Sequence, residues 1–114
     1  MMYWKKNTGT RVKDITARES RNIVSREEIT IIDVRTRSEH MESSIPGSRL
    51  MDINSGDFAE KAKNLDKEKK YLVYCRTGKR SRRAVDILIS IGFKNIFHLK
   101  NGIKEWINEG YETK

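Results

Sequence analysis

The apolar positions of this chain fall into two rhythms. "ITIIDV", Ile29 to Val34, is short, β-branched and apolar on both parities, as a strand covered on both faces of a parallel sheet would be. "YLVYC", Tyr71 to Cys75, and "NIFHL", Asn95 to Leu99, read as two further short strands. Elsewhere the spacing is helical. Ala84, Ile87, Leu88 and Ile91 predict a helix over Arg80 to Ile91, with Gly92 as its C-terminal stop. Ile103, Trp106 and Ile107 mark a final amphipathic helix that ends near Gly110.

Helix starts are legible too. Thr16 to Glu19 and Thr36 to Glu39 both read T-x-x-E, a capping box in which hydroxyl and carboxylate satisfy each other's free amides. The first predicts a helix through about Val24, the second a short helix directly after the Ile29–Val34 strand. A further helix is expected from about Asp57 to Leu65. "IPGSRLMDI" holds the only proline, Pro46, beside Gly47, and predicts a turn into a short extended piece. Strands alternating with helices predict an α/β fold, a mainly parallel central sheet with helices on both faces.

A chain of 114 residues suits one domain with one modest core. No repeat and no Pro/Gly/Ser-rich linker divides it. Residues 1–11 read as a polar leader and 12–114 as the domain. The formal net charge of +8, from 24 Lys and Arg against 16 Asp and Glu, attracts anions without saying which. The basic residues are scattered, and no helix-turn-helix, RNP-like or zinc-finger pattern accompanies them, which argues against a nucleic-acid partner. Their densest run lies beside the cysteine, which favours a small anionic substrate. No apolar stretch has the length of a membrane span, and the N-terminus lacks the pattern of a signal peptide. A single cysteine cannot close an internal disulfide, and neither it nor His40 and His98 has metal-ligand spacing. A reducing cytoplasm, with no metal and no cofactor, is the expectation.

That cysteine, Cys75, ends a strand and is followed by R-T-G-K-R and then a helix. In open α/β sheets this carboxyl edge is where ligands bind. Gly78 lets the loop curl so that amide N–H groups converge, and the helix N-terminus adds partial positive charge. A thiolate held there is stabilised and nucleophilic at neutral pH. Arg76, Lys79 and Arg80 supply field for an incoming anion, and Thr77 and Gly78 supply the loop around it. The plainer reading, a small buried hydrophobe, does not account for this cationic glycine loop. Arg82 and Arg83 read as a solvated helix face. Asp33 and Arg35 stand at the same sheet edge, either as an ion pair fixing the fold or as a support that orients Arg80 or another loop cation. His98 reads as a packing residue and His40 as exposed; neither is expected to be a general base.

Four ordered motifs make the chain resemble the rhodanese domains over roughly residues 12 to 112. They are "IIDVR" with Glu39, "SIPGS", "VYCRTGKRSRRA" and "IGFKNIFHLKNGIKEWINEG". Three positions depart from that family's pattern: Ser43 and Ser44 replace its Gly-His, and Asn101 the first glycine of its Gly-Gly pair. The resemblance implies a sulfurtransferase whose Cys75 takes a sulfane sulfur from a donor such as thiosulfate. The resulting persulfide passes it to cyanide or a thiol, with a partner protein as one form of acceptor. Two rivals stand beside it. A cysteine phosphatase or arsenate reductase uses a C-x5-R loop, whereas here Arg80 gives C-x4-R and a smaller enclosed space. A non-catalytic binding module of the same fold would not need the retained Cys75.

Overall fold

Charge conceals the first strand. "RVKDI", Arg11–Ile15, carries only two apolar residues, yet it forms the edge of the sheet as β1. Val12 and Ile15 are fully buried, and because strand side chains alternate they enter opposite faces. The computed structural model describes residues 9–114. Thr10 and Arg11, at the end of the expected leader, take part in the fold. Thr10 is buried and its hydroxyl donates to the Phe93 carbonyl at 2.8 Å, while Arg11 opens β1. The rest of the expected leader, residues 1–8, lies outside the described residues.

After β1 come α1 (Ala17–Arg26), β2 (Thr30–Asp33), α2 (Arg37–Glu42), β3 (Arg49–Leu50) and α3 (Phe58–Lys63). The second half adds β4 (Lys70–Tyr74), α4 (Lys79–Ser90), β5 (Asn95–Leu99) and α5 (Gly102–Asn108). The sheet order is β1-β5-β4-β2-β3 and each of its pairings is parallel. The expected α/β class is therefore observed, with a fully parallel sheet among the described residues. Parallel neighbours need a crossover, and the helices provide it on both faces.

The two-faced burial read from the strand patterns is visible along β4. Tyr71, Val73 and Cys75 point into a cluster with Phe58 and Ala62 of α3 and Ala84, Val85 and Leu88 of α4. Leu72 and Tyr74 point to the other side, against Ala17 of α1 and Ile103 and Trp106 of α5. Both capping boxes form. Thr16 Oγ1 accepts from the Glu19 amide at 3.1 Å, and Glu19 Oε1 accepts from the Thr16 amide at 2.8 Å. The Thr36–Glu39 pair repeats the arrangement. Helix α1 runs on to Arg26, two residues past the expected end, because Arg26 still suits the negative end of a helix.

One buried polar cluster ties β2, β4 and the turn before β3 together. The Asp33 carboxylate accepts from the Arg35 amide and Nε at Oδ1, at 3.0 and 2.9 Å. Its Oδ2 accepts from Arg35 Nη2, His40 Nδ1 and the Tyr74 hydroxyl, at 2.8, 2.8 and 2.9 Å. The Tyr74 oxygen in turn accepts the Ile45 amide at 3.1 Å. Burial, with the Asp33 charge, pushes the Tyr74 phenol up to about 12, so it stays a donor. Tyr74→Phe strands the Ile45 amide and weakens the cradle of Asp33. It should cost about 1–3 kcal/mol, measurable as a lower urea midpoint with unchanged slope.

Candidate active site

The carboxyl ends of β2, β4 and β5 converge on one edge. Cys75 follows β4 directly and is almost wholly buried, with 1% of its surface exposed. The chain then turns through Arg76 and Thr77 to Gly78, whose φ of 107° is one that side-chain-bearing residues rarely adopt. That conformation aims the Gly78 amide back at Cys75 Sγ, 3.1 Å away. Ser81, in the first turn of α4, places its hydroxyl oxygen 3.3 Å from the same sulfur. Burial alone would push the thiol up. The Ser81 hydroxyl and the amides of Ser81, Gly78 and Thr77 outweigh it, and the Cys75 pKa lies below its ordinary value. Of the amides expected to converge, that of Gly78 reaches the sulfur at hydrogen-bond distance.

Two glycines make the loop possible. A Cβ on Gly78 would strike the carbonyl of Lys100, and one on Gly102 would strike the carbonyl of Arg76. The loops 76–78 and 100–102 therefore lie backbone against backbone. The first amides of α5 lock them: Ile103 donates to the Cys75 carbonyl at 3.0 Å and Lys104 to that of Arg76 at 3.2 Å.

The cations expected to face the substrate differ in their commitments. Arg80 forms a two-pronged bond to Glu39, Nη1 to Oε1 at 2.7 Å and Nη2 to Oε2 at 2.9 Å. Its partner is Glu39, not Asp33, because Asp33 is occupied by Arg35 at the carboxyl end of β2. The ion-pair reading of Asp33 and Arg35 is the one observed. Arg76 and Lys79 are exposed and make no ion pair among the described residues. Arg35, Arg76 and Lys104 help line a cleft of about 220 Å³ with Glu39, Ser43 and Ile103. Thr77 is exposed and contributes its amide. Arg82 and Arg83 are exposed as expected, though Arg82 reaches Asp14 at 3.3 Å and Arg83 reaches Asn54 at 3.3 Å.

His40 departs from expectation, and His98 does more than pack. His40 is only 23% exposed and bonds to Asp33. His98 is buried, as its apolar strand implies, but it is wired at both ring nitrogens. Nε2 lies 2.6 Å from Ser81 Oγ and Nδ1 lies 2.9 Å from Asp14 Oδ1. Asp14 and His98 are register partners across β1 and β5. Without β1, nothing in the sequence joins them. Ser81, Asp14 and the Glu39 clasp are the site residues that spacing alone does not identify. Among the described residues, no group of His, Cys, Asp and Glu is placed to hold a metal ion, and no helix is long and apolar enough to cross a membrane.

The family model for the rhodanese-like domain matches residues 16–109, a span that holds this site except for Asp14. The chain belongs to that family. It is 37% identical to the YtwF protein of Bacillus subtilis (strain 168), over 86% of this chain and 93% of that protein. It is 31% identical to the thiosulfate sulfurtransferase GlpE of Coxiella burnetii, over 82% of this chain and 86% of that one. A crystal structure of a rhodanese-related protein from Thermoplasma volcanium superposes with a TM-score of 0.78 at 33% identity, covering 90% of this chain and 97% of that one.

The departures from the rhodanese-like pattern now have a physical reading. Asn101 has an ordinary φ of −106°, whereas the glycine that remains, Gly102, takes 70°. Ser43 holds Arg35 through its backbone carbonyl, which accepts from Nη2 at 2.6 Å whatever the side chain.

Gly78→Ala should cost about 2 kcal/mol or more, since strain at φ and the Lys100 carbonyl act together. Urea denaturation checks this, and Cys75 alkylation should slow as the amide leaves the sulfur. The Arg80 guanidinium holds the Glu39 carboxyl at about 2, below its ordinary 4.5. A lowered carboxylate pKa adds stability above the unfolded value and loses it as pH falls through the folded one. The melting-temperature gap between wild type and Glu39→Gln should thus be full above pH 4.5 and close as pH falls toward 2.

Proposed function

We propose that this rhodanese-like domain is a sulfurtransferase in which Cys75 carries the sulfur as a persulfide. The observation that supports this most directly is the convergence of the Gly78 amide and the Ser81 hydroxyl on a buried sulfur whose pKa is lowered. The relative GlpE, named a thiosulfate sulfurtransferase, supports thiosulfate or a related anion as donor. In the first step the Cys75 thiolate attacks the outer sulfur of thiosulfate. A new S–S bond forms, the bond to the sulfonate sulfur breaks, and sulfite leaves with the electron pair. The product, Cys75–S–S⁻, is again an anion in the same amide nest. In the second step cyanide or a thiolate attacks the terminal sulfur, and Cys75 leaves as the thiolate.

Arg76, Lys79 and the cleft beside them attract the donor, while Thr77 and Gly78 contribute amides to the nest. Arg80 acts mainly by fixing the loop against α2 through Glu39, and Asp33 and Arg35 fix β2 beneath it. No cofactor takes part in this cycle. A single thiol in the described fold has no second cysteine to resolve it, so the sulfur must leave on another molecule, a small thiol or a thiol of a partner protein. The reducing cytoplasm is the compartment that suits this chemistry.

Reduced protein incubated with thiosulfate should gain the mass of one sulfur atom, and cyanide or a thiol should remove it. Cys75→Ser should gain nothing. A folded wild-type protein that gains no sulfur would rule out thiosulfate as donor. Turnover of phosphate esters or arsenate by that protein would favour the rival oxyanion chemistry instead.

A further inference from the structure

The mechanism above makes no use of a buried file of polar groups that begins at the reactive sulfur and ends at the sheet edge. From Cys75 Sγ it runs 3.3 Å to Ser81 Oγ, 2.6 Å to His98 Nε2, and from His98 Nδ1 2.9 Å to Asp14 Oδ1. Ser81 and His98 are buried to 0% and 1% exposure, so water does not complete their hydrogen bonding. Every link must therefore be made by a proton on one of the four groups.

With the Asp14 carboxylate as the acceptor at Nδ1, two arrangements of those protons remain. In the first, Cys75 keeps its proton and donates to Ser81, Ser81 donates to His98 Nε2, and His98 donates from Nδ1 to Asp14. In the second, each of the first two protons has moved one link. His98 Nε2–H donates to Ser81, Ser81 donates to the Cys75 thiolate, and the imidazolium still donates from Nδ1 to Asp14. The two states contain the same atoms and electrons. They differ by one proton carried from sulfur to imidazole through the serine hydroxyl.

We infer that His98, oriented by Asp14 and reached through Ser81, is the internal acceptor of the Cys75 proton. It is thus a positioning residue for the sulfur chemistry and holds that proton while Cys75 is an anion. The inference rests on the reading of Cys75 as the reactive group.

Several charged groups set the balance. The His98 pKa lies below its ordinary value: burial lowers it most and Arg82 on α4, itself bonded to Asp14, acts with burial, while Asp14 on β1 opposes them. From the remaining side, the Gly78 backbone faces the ring and favours the charged form. The imidazolium thus depends on two anions, Asp14 at one nitrogen and the sulfur beyond Ser81 at the other. Cys75 and His98 titrate as a coupled pair. A persulfide leaves an anion beside Ser81, so the partner of a protonated His98 persists through the sulfur-transfer cycle.

His98→Gln tests this directly. The amide can still hydrogen-bond Ser81 but cannot hold a proton. Alkylation of Cys75 by iodoacetamide at neutral pH should fall about tenfold in the variant, with its pH profile moved upward by about one unit. Asp14→Asn should move the profile in the same direction. A profile unchanged or moved downward in His98→Gln would overturn the inference, since a merely structural histidine is replaced by an amide without a change in thiol ionisation. If the variant does not fold, the nitrogen-15 resonances of His98 decide the matter. They should report an imidazolium in wild type over the pH range where Cys75 is a thiolate, and a neutral ring in Cys75→Ser. A ring that stays neutral while Cys75 ionises would overturn the inference equally. Neither measurement uses a sulfur donor, so a protein that gains no sulfur from thiosulfate yet alkylates as described would fail the functional reading alone.

Discussion

The close approach of two backbones underlies the site. Residues 76–78 and 100–102 touch carbonyl to α-carbon, with Gly78 facing Lys100 and Gly102 facing Arg76. No side chain separates them, so the amides of Ile103 and Lys104 can reach the carbonyls of Cys75 and Arg76. This contact fixes where the Cys75 loop lies and turns the Gly78 amide to the sulfur. A buried sulfur with free amides around it is chemically different from one packed among methyl groups. Donated hydrogen bonds offset the desolvation that would otherwise keep the thiol protonated. Ser81 at the start of α4, and after it the amides of the loop, are thus the origin of the lowered Cys75 pKa.

Around that contact, carboxylates allocate the cations. Asp33 holds Arg35, Glu39 holds Arg80, and Asp14 meets both His98 and Arg82. The formal net charge of +8 therefore overstates the cationic field at the sulfur. Arg76, Lys79 and Lys104, near the loop, make no ion pair among the described residues. Short-range donors, which carry no net charge, act on the thiol at contact distance, where a charge on an exposed side chain is screened by water. The arrangement suits a small anion that approaches through a positive rim and reacts among neutral dipoles.

Much of the fold was legible because its signals are local. The T-x-x-E boxes at Thr16 and Thr36 are complete within four residues, and both form. The apolar runs of β2, β4 and β5 report burial on both faces. Gly78 and the basic loop placed a candidate nest beside Cys75, and the Gly78 amide points at the sulfur. β1 was illegible because an edge strand needs few apolar residues and tolerates charge, and Arg11, Lys13 and Asp14 conceal its Val12 and Ile15.

The sequence by itself determined the α/β alternation, the helix starts and the place of the glycine-containing basic loop after Cys75. Each depends on backbone hydrogen bonds and side-chain spacing within one or two turns. The tertiary structure decided which charges meet. Arg80 finds Glu39 across 41 positions, and His98 finds Asp14 across 84. Those partners are chosen by strand order and register, with β1 laid beside β5 and α2 brought beside the Cys75 loop. Hydrogen bonding at the sulfur is likewise set by distances that only the packed sheet fixes. A serine six positions after a cysteine and a histidine in an apolar strand become one connected file only when β5 lies beside β4 and α4 packs over that face.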